Sequence, residues 1–289
     1  QPRESGNISI VGQGNITTGS INSSALLASD SDNGGDISIS SVSGDIFVED
    51  VTAVSRANTQ SAGNGGTLDI TAEAGNITTG DLSTSSSVLD GFFGTVGNGG
   101  EVSIVSGTGN VLTGNIDASS NVEVGEGGGN GGDIRIVATQ GSVQTGDVLS
   151  NSSTRFNINL DSDNFEPYLL EPGNITLTAQ NQITTADINA SSRAIEGGPS
   201  SPGGQIQLSS ISGDSTVNGA IASDSIASEG VPDNGGNIVI QSEDGNITVE
   251  ESINSSSSSF SIMVEEGAIF QSHLILATSS LTVAQNLFP

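Results

Sequence analysis

Residues 66–82 read Gly-Thr-Leu-Asp-Ile-Thr-Ala-Glu-Ala-Gly-Asn-Ile-Thr-Thr-Gly-Asp-Leu, and the rest of the chain repeats the pattern of this run. Leu68 and Ile70 alternate with polar residues, Ile77 and Thr79 do the same, and Leu82 opens a third segment. A glycine stands shortly before each segment. Alternation with a period of two predicts short strands with one buried face, and glycine marks the corners between them.

The same pattern recurs from one end of the chain to the other. The motif Gly-x-[Ile/Leu/Val]-x-[Ile/Leu] recurs with a period of about 31 residues. The eight opening glycines are Gly6, Gly35, Gly66, Gly100, Gly132, Gly173, Gly204 and Gly236. Three short strands and three corners in about twenty residues are typical of one coil of a parallel β-helix, and periods of this length indicate stacked repeats.

The sequence therefore predicts an all-β fold, a right-handed parallel β-helix of about eight or nine coils with one variable loop per coil. Residues 1–252 form the repeats, and residues 253–289 form irregular final coils or a terminal cover. Because the strand pattern begins at Gly6, we expect further protein before Gln1. The predicted loops are residues 22–33, 52–64, 83–98, 117–130, 149–172, 189–202 and 222–234.

Two columns of side chains are expected to point inward along the stack. Stacking of equivalent residues places one column of aliphatic side chains and one mixed column of threonine and valine in the core. The aliphatic column is Ile8, Ile37, Leu68, Val102, Ile134, Ile175, Ile206 and Ile238. The mixed column is Thr18, Val48, Thr79, Thr113, Thr145 and Thr185.

The charge of the chain excludes several classes of function. The 289 residues include 33 acidic and five basic ones, which gives a formal net charge of −28, and cysteine is absent. Nucleic-acid binding and attachment to an anionic membrane both need a cationic surface, so neither is expected. No apolar run is long enough to span a bilayer, so we expect no membrane insertion. The absence of cysteine is compatible with an exported bacterial protein.

The repeat motif G-G-x-I-x-I, followed by G-N-I-x-T-G-x-I and a segment rich in Ser and Asn, resembles the repeat region of filamentous-haemagglutinin-like exoproteins. The resemblance is greatest to those of filamentous cyanobacteria and covers roughly residues 6–252. It implies a right-handed β-helix exported by two-partner secretion, with an adhesive or surface-structural role.

The sequence gives no signature of catalysis. His273 is the only histidine, and no Gly-x-Ser-x-Gly elbow accompanies it. Two carboxylates suffice for glycosidase chemistry, but no pair stands out among so many acidic residues. We therefore predict no catalytic residues and a protein that is not an enzyme.

Acidic residues in the corners are the candidate metal ligands. Asp30, Asp32 and Asp36 surround a glycine turn, and hard oxygen ligands at this spacing suit calcium. Two further pairs are expected to stack on adjacent coils, Glu101 with Asp133 and Asp147 with Asp187. The alternative is that these are solvated acidic turns with weak cation screening, in which case no cofactor is required.

Aromatic residues of two variable loops are the candidate contacts for a partner or a carbohydrate, because aromatic faces stack on sugars. The alternative is that they fold their loops back onto the flank of the helix. These residues are Phe92, Phe93, Phe156, Phe165 and Tyr168.

These observations together predict an extracellular structural or adhesive segment of a larger secreted or cell-surface protein. It would act as a rigid scaffold, present its loops and assemble into filaments, with other copies of itself, surface polysaccharide or other cell-surface molecules as partners. A carbohydrate-active β-helix enzyme and a calcium-dependent surface-layer or matrix protein are the alternatives.

Overall fold

The computed structural model describes residues 5–89, 94–122, 127–156, 170–196, 199–227 and 232–255, and the strands at 260–264, 270–272 and 282–285. All regular elements within these ranges are β-strands. Each coil contributes strands to separate sheets in the same order, so that the chain winds around one axis.

The strands of the first four coils are short, with five residues in the first strand of each coil and two or three in the others. Coils one and two contain β1 Ile8–Gly12, β2 Ile16–Thr18, β3 Ile21–Asn22, β4 Ala25–Leu27, β5 Ile37–Ser41, β6 Ile46–Val48, β7 Val51–Thr52 and β8 Ser55–Ala57. Coils three and four contain β9 Leu68–Ala72, β10 Ile77–Thr79, β11 Leu82–Ser83, β12 Ser86–Val88, β13 Val102–Ser106, β14 Val111–Leu112, β15 Ile116–Asp117 and β16 Ser120–Val122.

The same succession continues toward the C-terminus. Coils five and six contain β17 Ile134–Ala138, β18 Val143–Gln144, β19 Val148–Leu149, β20 Ser152–Phe156, β21 Ile175–Ala179, β22 Ile183–Thr185, β23 Ile188–Asn189 and β24 Ser192–Glu196. The remaining strands are β25 Ile206–Ser210, β26 Ser215–Val217, β27 Ile221–Ala222, β28 Ser225–Ala227, β29 Ile238–Ser242, β30 Ile247–Val249, β31 Ile253–Asn254, β32 Phe260–Val264, β33 Phe270–Ser272 and β34 Thr282–Gln285.

Four parallel sheets result, which we call A, B, C and D after the first, second, third and fourth strand of a coil. In the described residues they hold ten, nine, eight and seven strands, respectively. Strands β32 and β34 extend sheet A, and β33 extends sheet B. The predicted parallel β-helix is confirmed. Seven coils carry all four strands, so the expected count of eight or nine coils is slightly too high.

The aliphatic column lies in the core as predicted, because all eight of its residues pair in register along sheet A, from Ile8 to Ile238. All of them except Ile8 are almost fully buried. The mixed column is buried too from Val48 to Thr185, and the Thr145 hydroxyl donates to the Thr185 hydroxyl at 2.9 Å. Hydrogen bonding makes this burial of threonine hydroxyls tolerable.

Sheet D was not anticipated, since its strands lie in segments that the sequence predicts to be loops. One inward column of sheet D consists mainly of serine. The sequence of these strands therefore lacks the alternation of apolar and polar residues that marks a half-buried strand. Five of the six buried serine hydroxyls donate to a backbone carbonyl, for example Ser86 to Gly63 at 2.6 Å and Ser120 to Gly97 at 2.9 Å, and the sixth, Ser225, pairs with the Ser200 hydroxyl at 2.7 Å. The buried serines of sheet D are Ser55, Ser86, Ser120, Ser152, Ser192 and Ser225.

A second, small apolar core lies behind sheet D. It consists of Ala57, Ala62, Val88, Val96 and Val122, and it is separate from the main core that sheets A, B and C enclose. The variable segments therefore contribute a structural layer of their own and do more than connect the repeats.

Glycines are needed at corners where successive coils approach each other closely. A Cβ atom added to Gly66 would overlap the carbonyl oxygen of Gly35 in the preceding coil. At the second corner, a Cβ atom added to Gly75 would overlap the carbonyl oxygen of Gly44 in the same way. At Gly6 and Gly14, which lie in the first described coil, an added Cβ would meet no atom within 4 Å. Both corners therefore require glycine for space wherever another coil precedes them, which explains why this residue recurs at a fixed step.

Candidate functional site

The corners of the solenoid carry ladders of Asp and Asn side chains that run parallel to the axis. At the second corner, Oδ1 of Asn15 accepts the backbone N–H of Asp45 at 3.0 Å, and Oδ1 of Asp45 accepts that of Asn76 at 2.7 Å. The bonds continue from Asn76 to Asn110 at 2.9 Å and from Asn110 to Ser142 at 2.8 Å. Each side chain therefore satisfies a corner N–H of the next coil, a group that would otherwise be bonded to water.

The third corner repeats this arrangement with more carboxylates. We call this series the third-corner ladder. In it, each Oδ1 atom accepts the backbone N–H of the following member at 2.7–3.2 Å. Its members are Asp50, Asp81, Asn115, Asp147, Asp187 and Ala220.

The predicted acidic pairs do stack on adjacent coils. Asp147 Oδ1 accepts the Asp187 N–H at 3.2 Å, and the pairing of Val102 with Ile134 places Glu101 one coil from Asp133. Asp133 Oδ1 in turn accepts both the backbone N–H of Asn174 at 2.7 Å and its side-chain amide at 3.2 Å. Hydrogen bonds from N–H groups stabilise the carboxylates of Asp133, Asp147 and Asp187 without a cation, and bound calcium at these pairs stays a prediction.

The three carboxylates around the first glycine turn, Asp30, Asp32 and Asp36, lie in different surroundings. Asp30 Oδ1 accepts the Ser61 N–H at 3.2 Å, and Asp36 Oδ1 accepts the N–H and the hydroxyl of Thr67 at 3.0 and 2.8 Å. Oδ2 of Asp32 is buried without a hydrogen-bond partner.

Asp32 and Asp36, but not Asp30, line a shallow pocket of about 450 Å³ together with Asn7, Asn33 and Asn64. Calcium takes six to eight oxygen ligands, so this pocket would have to supply amide and carbonyl oxygens as well as two carboxylates. In the part of the chain that the structure describes, no three His, Cys, Asp or Glu residues converge as metal ligands.

The aromatic candidates cannot be placed in a site. Phe92, Phe93, Phe165 and Tyr168 lie outside the described residues, as does His273. Phe156 ends β20, where its backbone pairs with Glu196 of β24. The contact of these residues with a partner or a carbohydrate stays a prediction.

A groove lined mainly by polar residues, which the sequence did not reveal, follows the corner between sheets C and D. It has a volume of about 610 Å³, and we call it the C–D groove. Four successive coils contribute to it, which corresponds to about 14 Å along the axis. Its lining includes Asn121, Asn151, Ser153, Asn189, Arg193, Asp224 and Ile226.

Asparagine amides with fixed orientations line the C–D groove. The Ser191 N–H donates to Oδ1 of Asn151 at 3.0 Å and to Oδ1 of Asn189 at 3.1 Å. Oδ1 of Asn121 accepts the Ser153 hydroxyl at 3.0 Å. A backbone N–H can only donate, so at Asn151 and Asn189 the oxygen must face Ser191. The NH₂ groups of these three amides have no partner in the described part of the chain, and they are available as donors.

The C–D groove also contains one of the five basic residues of the chain. Arg193 is exposed at the rim, and the half-buried Asp224 follows one coil later. Asp224 is the only carboxylate among the described lining residues, whereas glycosidase chemistry uses two. The sequence contains one indication of this groove, since polar residues occupy equivalent outward positions of sheet D at Asn121, Ser153 and Arg193. These positions are recognised as equivalent only from the strand pairing of sheet D.

No protein-family model matches the chain, and no curated protein and no solved structure matches it either. Among the described residues, none form a helix of the length and apolar character needed to cross a membrane.

Proposed function

We propose that the chain is an extracellular structural or adhesive segment of a secreted or cell-surface protein, and that it acts as a rigid scaffold. The observation that carries the proposal is the third-corner ladder, in which five successive side-chain bonds tie coil to coil. These bonds act in addition to the backbone hydrogen bonds of the four parallel sheets.

Such a stack resists bending because every coil is bonded to its neighbours at several points around its perimeter. Sheets A to D surround the core, and the second and third corners add their own series of bonds. A repeat protein in which each coil contacts only its neighbours can be extended without changing its cross-section. This property suits a spacer that holds a binding surface away from a cell, or a subunit of a filament.

The charge supports an exposed and hydrated location. A formal charge of −28 keeps neighbouring chains apart unless specific contacts or cations join them. The partners that we propose are other copies of the chain, joined by such specific contacts or cations, and surface polysaccharide or other cell-surface molecules. End-to-end contacts that do not close would produce filaments.

A calcium-dependent surface-layer or matrix protein is the second candidate. The unpartnered buried Oδ2 atom of Asp32 favours it, since a buried carboxylate oxygen without a donor is costly. A calcium ion in the pocket of Asp32 and Asp36 would remove that cost. A carbohydrate-active enzyme, the remaining alternative, has no comparable observation in its favour.

Immunogold electron microscopy of the producing cells, with antibodies raised against the purified chain, tests the proposal. We expect label on the outer cell surface or on shed filaments. Label confined to the cytoplasm would contradict an extracellular scaffold, whatever the solenoid binds in solution.

A further inference from the structure

We propose that the C–D groove binds a neutral oligosaccharide in an extended conformation along the solenoid axis. The inference deepens the proposed adhesive function and rests on it for its biological role. The groove itself is defined by geometry alone, with four coils contributing equivalent positions to one concave surface.

The first argument is the supply of oriented donors. Oδ1 of Asn151 and Oδ1 of Asn189 are held by the Ser191 N–H, and Oδ1 of Asn121 is held by the Ser153 hydroxyl. Three NH₂ groups thus line one groove on three successive coils, and a backbone N–H fixes the orientation of those at Asn151 and Asn189 before a ligand arrives. Pre-organised donors of this kind suit a ligand whose oxygen atoms are repeated along its length.

The second argument is the mixture of donors and acceptors. The carboxylate of Asp224 can accept hydrogen bonds, whereas the exposed guanidinium of Arg193 can only donate them. A sugar hydroxyl both donates and accepts, so it satisfies either group. The exposed Ile226 adds apolar surface at the edge of the groove, against which the C–H face of a sugar ring can pack.

The third argument is electrostatic and favours a neutral ligand over an acidic one. The chain carries a formal charge of −28, and a polyanion such as a polyuronate would be repelled before it reached the groove. Arg193 is balanced by Asp224 within the same lining and leaves no excess of positive charge. The residues that line the groove therefore carry no net formal charge.

The test is isothermal titration calorimetry of the full chain with cellohexaose, maltohexaose, mannohexaose and hexagalacturonic acid. We expect at least one of the three neutral oligosaccharides to bind. Asn189→Asp should weaken that binding about tenfold, a change of about 1.4 kcal/mol, because it replaces the donor NH₂ by an acceptor oxygen.

The Asn189→Asp substitution should leave the fold intact. Asp117 stands in the same column two coils earlier, and its Oδ1 accepts the Ser119 N–H at 3.0 Å, which is the bond that Asn189 makes with Ser191. Asn98→Asp is the matched control, since it makes the same change in charge on another corner, where Oδ1 of Asn98 accepts the Asn130 N–H at 2.9 Å. Arg193→Gln changes an exposed rim residue and provides a second variant if Asn189→Asp lowers the melting temperature.

The proposal is overturned if none of the neutral oligosaccharides binds, if hexagalacturonic acid alone binds, or if Asn189→Asp and Arg193→Gln both bind as tightly as the parent. Equal weakening by Asn98→Asp would also contradict it, because the effect would then be one of net charge. These outcomes are independent of immunogold labelling. Label on the cell surface without oligosaccharide binding would indicate an extracellular scaffold that lacks a glycan groove. Oligosaccharide binding with label confined to the cytoplasm would indicate a glycan-binding protein inside the cell.

Discussion

The Oδ1 atom of Asp81 accepts the backbone N–H of Asn115 at 2.7 Å, one coil further along the axis. Both residues are exposed at the third corner, where the backbone would otherwise be bonded to water. This single contact represents the series of side-chain bonds that runs along the corners. The resulting scaffold is held together by its surface as well as by its core.

Removing that contact should lower stability by about 1 kcal/mol, the usual net value of one hydrogen bond. Asp81→Ala deletes the acceptor, whereas Asp81→Asn keeps an oxygen in the same place and should behave like the parent. Urea unfolding of the two variants compares them directly. Equal destabilisation by both would mean that the charge of Asp81, and not its oxygen, matters.

The buried aliphatic column should be far less tolerant than the surface beside it. Ile134→Ala removes a side chain that is 1% exposed and leaves a cavity between two coils, which should cost about 3 kcal/mol. Arg135→Ala alters the next residue, which is exposed on sheet A, and should change stability by less than about 0.5 kcal/mol. Similar unfolding midpoints for the two variants would argue against the register of sheet A.

Glycines that face a preceding coil and glycines of the first described coil should respond differently to alanine. Gly66→Ala brings a methyl group against the carbonyl oxygen of Gly35, and we expect a loss of about 2 to 3 kcal/mol. Gly14→Ala meets open space and should be nearly neutral. Thermal unfolding followed by circular dichroism measures both, and a neutral Gly66→Ala would show that the coils are less tightly stacked than described.

The serine column of sheet D gives a test of the layer that the sequence did not predict. The buried Ser120 hydroxyl donates to the Gly97 carbonyl at 2.9 Å and accepts the Gly129 N–H at 3.0 Å. Ser120→Ala leaves both groups without this partner, and we expect a loss of about 2 kcal/mol. Ser87→Ala changes an outward residue of the same sheet and serves as the control. No difference between these two variants in urea unfolding would contradict a buried, bonded serine at position 120.

Calcium should raise the thermal stability of the chain if the Asp32 pocket is a cation site. We expect a higher melting midpoint in millimolar calcium than in chelator at matched ionic strength, and loss of that difference in Asp32→Asn. Asp69→Asn removes a charge from the exposed face of sheet A and should retain the difference. Identical midpoints with calcium and with chelator would favour solvated acidic turns.

Sheets A, B and C could be predicted because their inward residues are mostly Ile, Leu and Val, whose alternation with polar residues is visible in a single sequence. Ile37 and Ile77 are examples, and both are buried where expected. Sheet D could not be predicted, because Ser86 and Ser120 are inward and polar, and their burial depends on carbonyl groups supplied by other segments.

The acidic residues were predicted in part. The stacking of Asp147 on Asp187 follows from the period of the repeat, and the structure has it. The bond from each carboxylate to a backbone N–H depends on the conformation of the corner, which the period does not specify. The C–D groove escaped prediction for a similar reason, since Asn151 and Asn189 are brought together only by the turn between sheets C and D.

Hydrogen exchange of the corner amides, resolved by nuclear magnetic resonance, tests most directly whether side chains bond the coils along the axis. We predict slow exchange for the N–H groups of Asn115 and Asp187 although both residues are exposed, and faster exchange at Asn115 alone in Asp81→Ala. Rapid exchange of both amides in the parent chain, at the rate of unstructured peptide, would contradict the account.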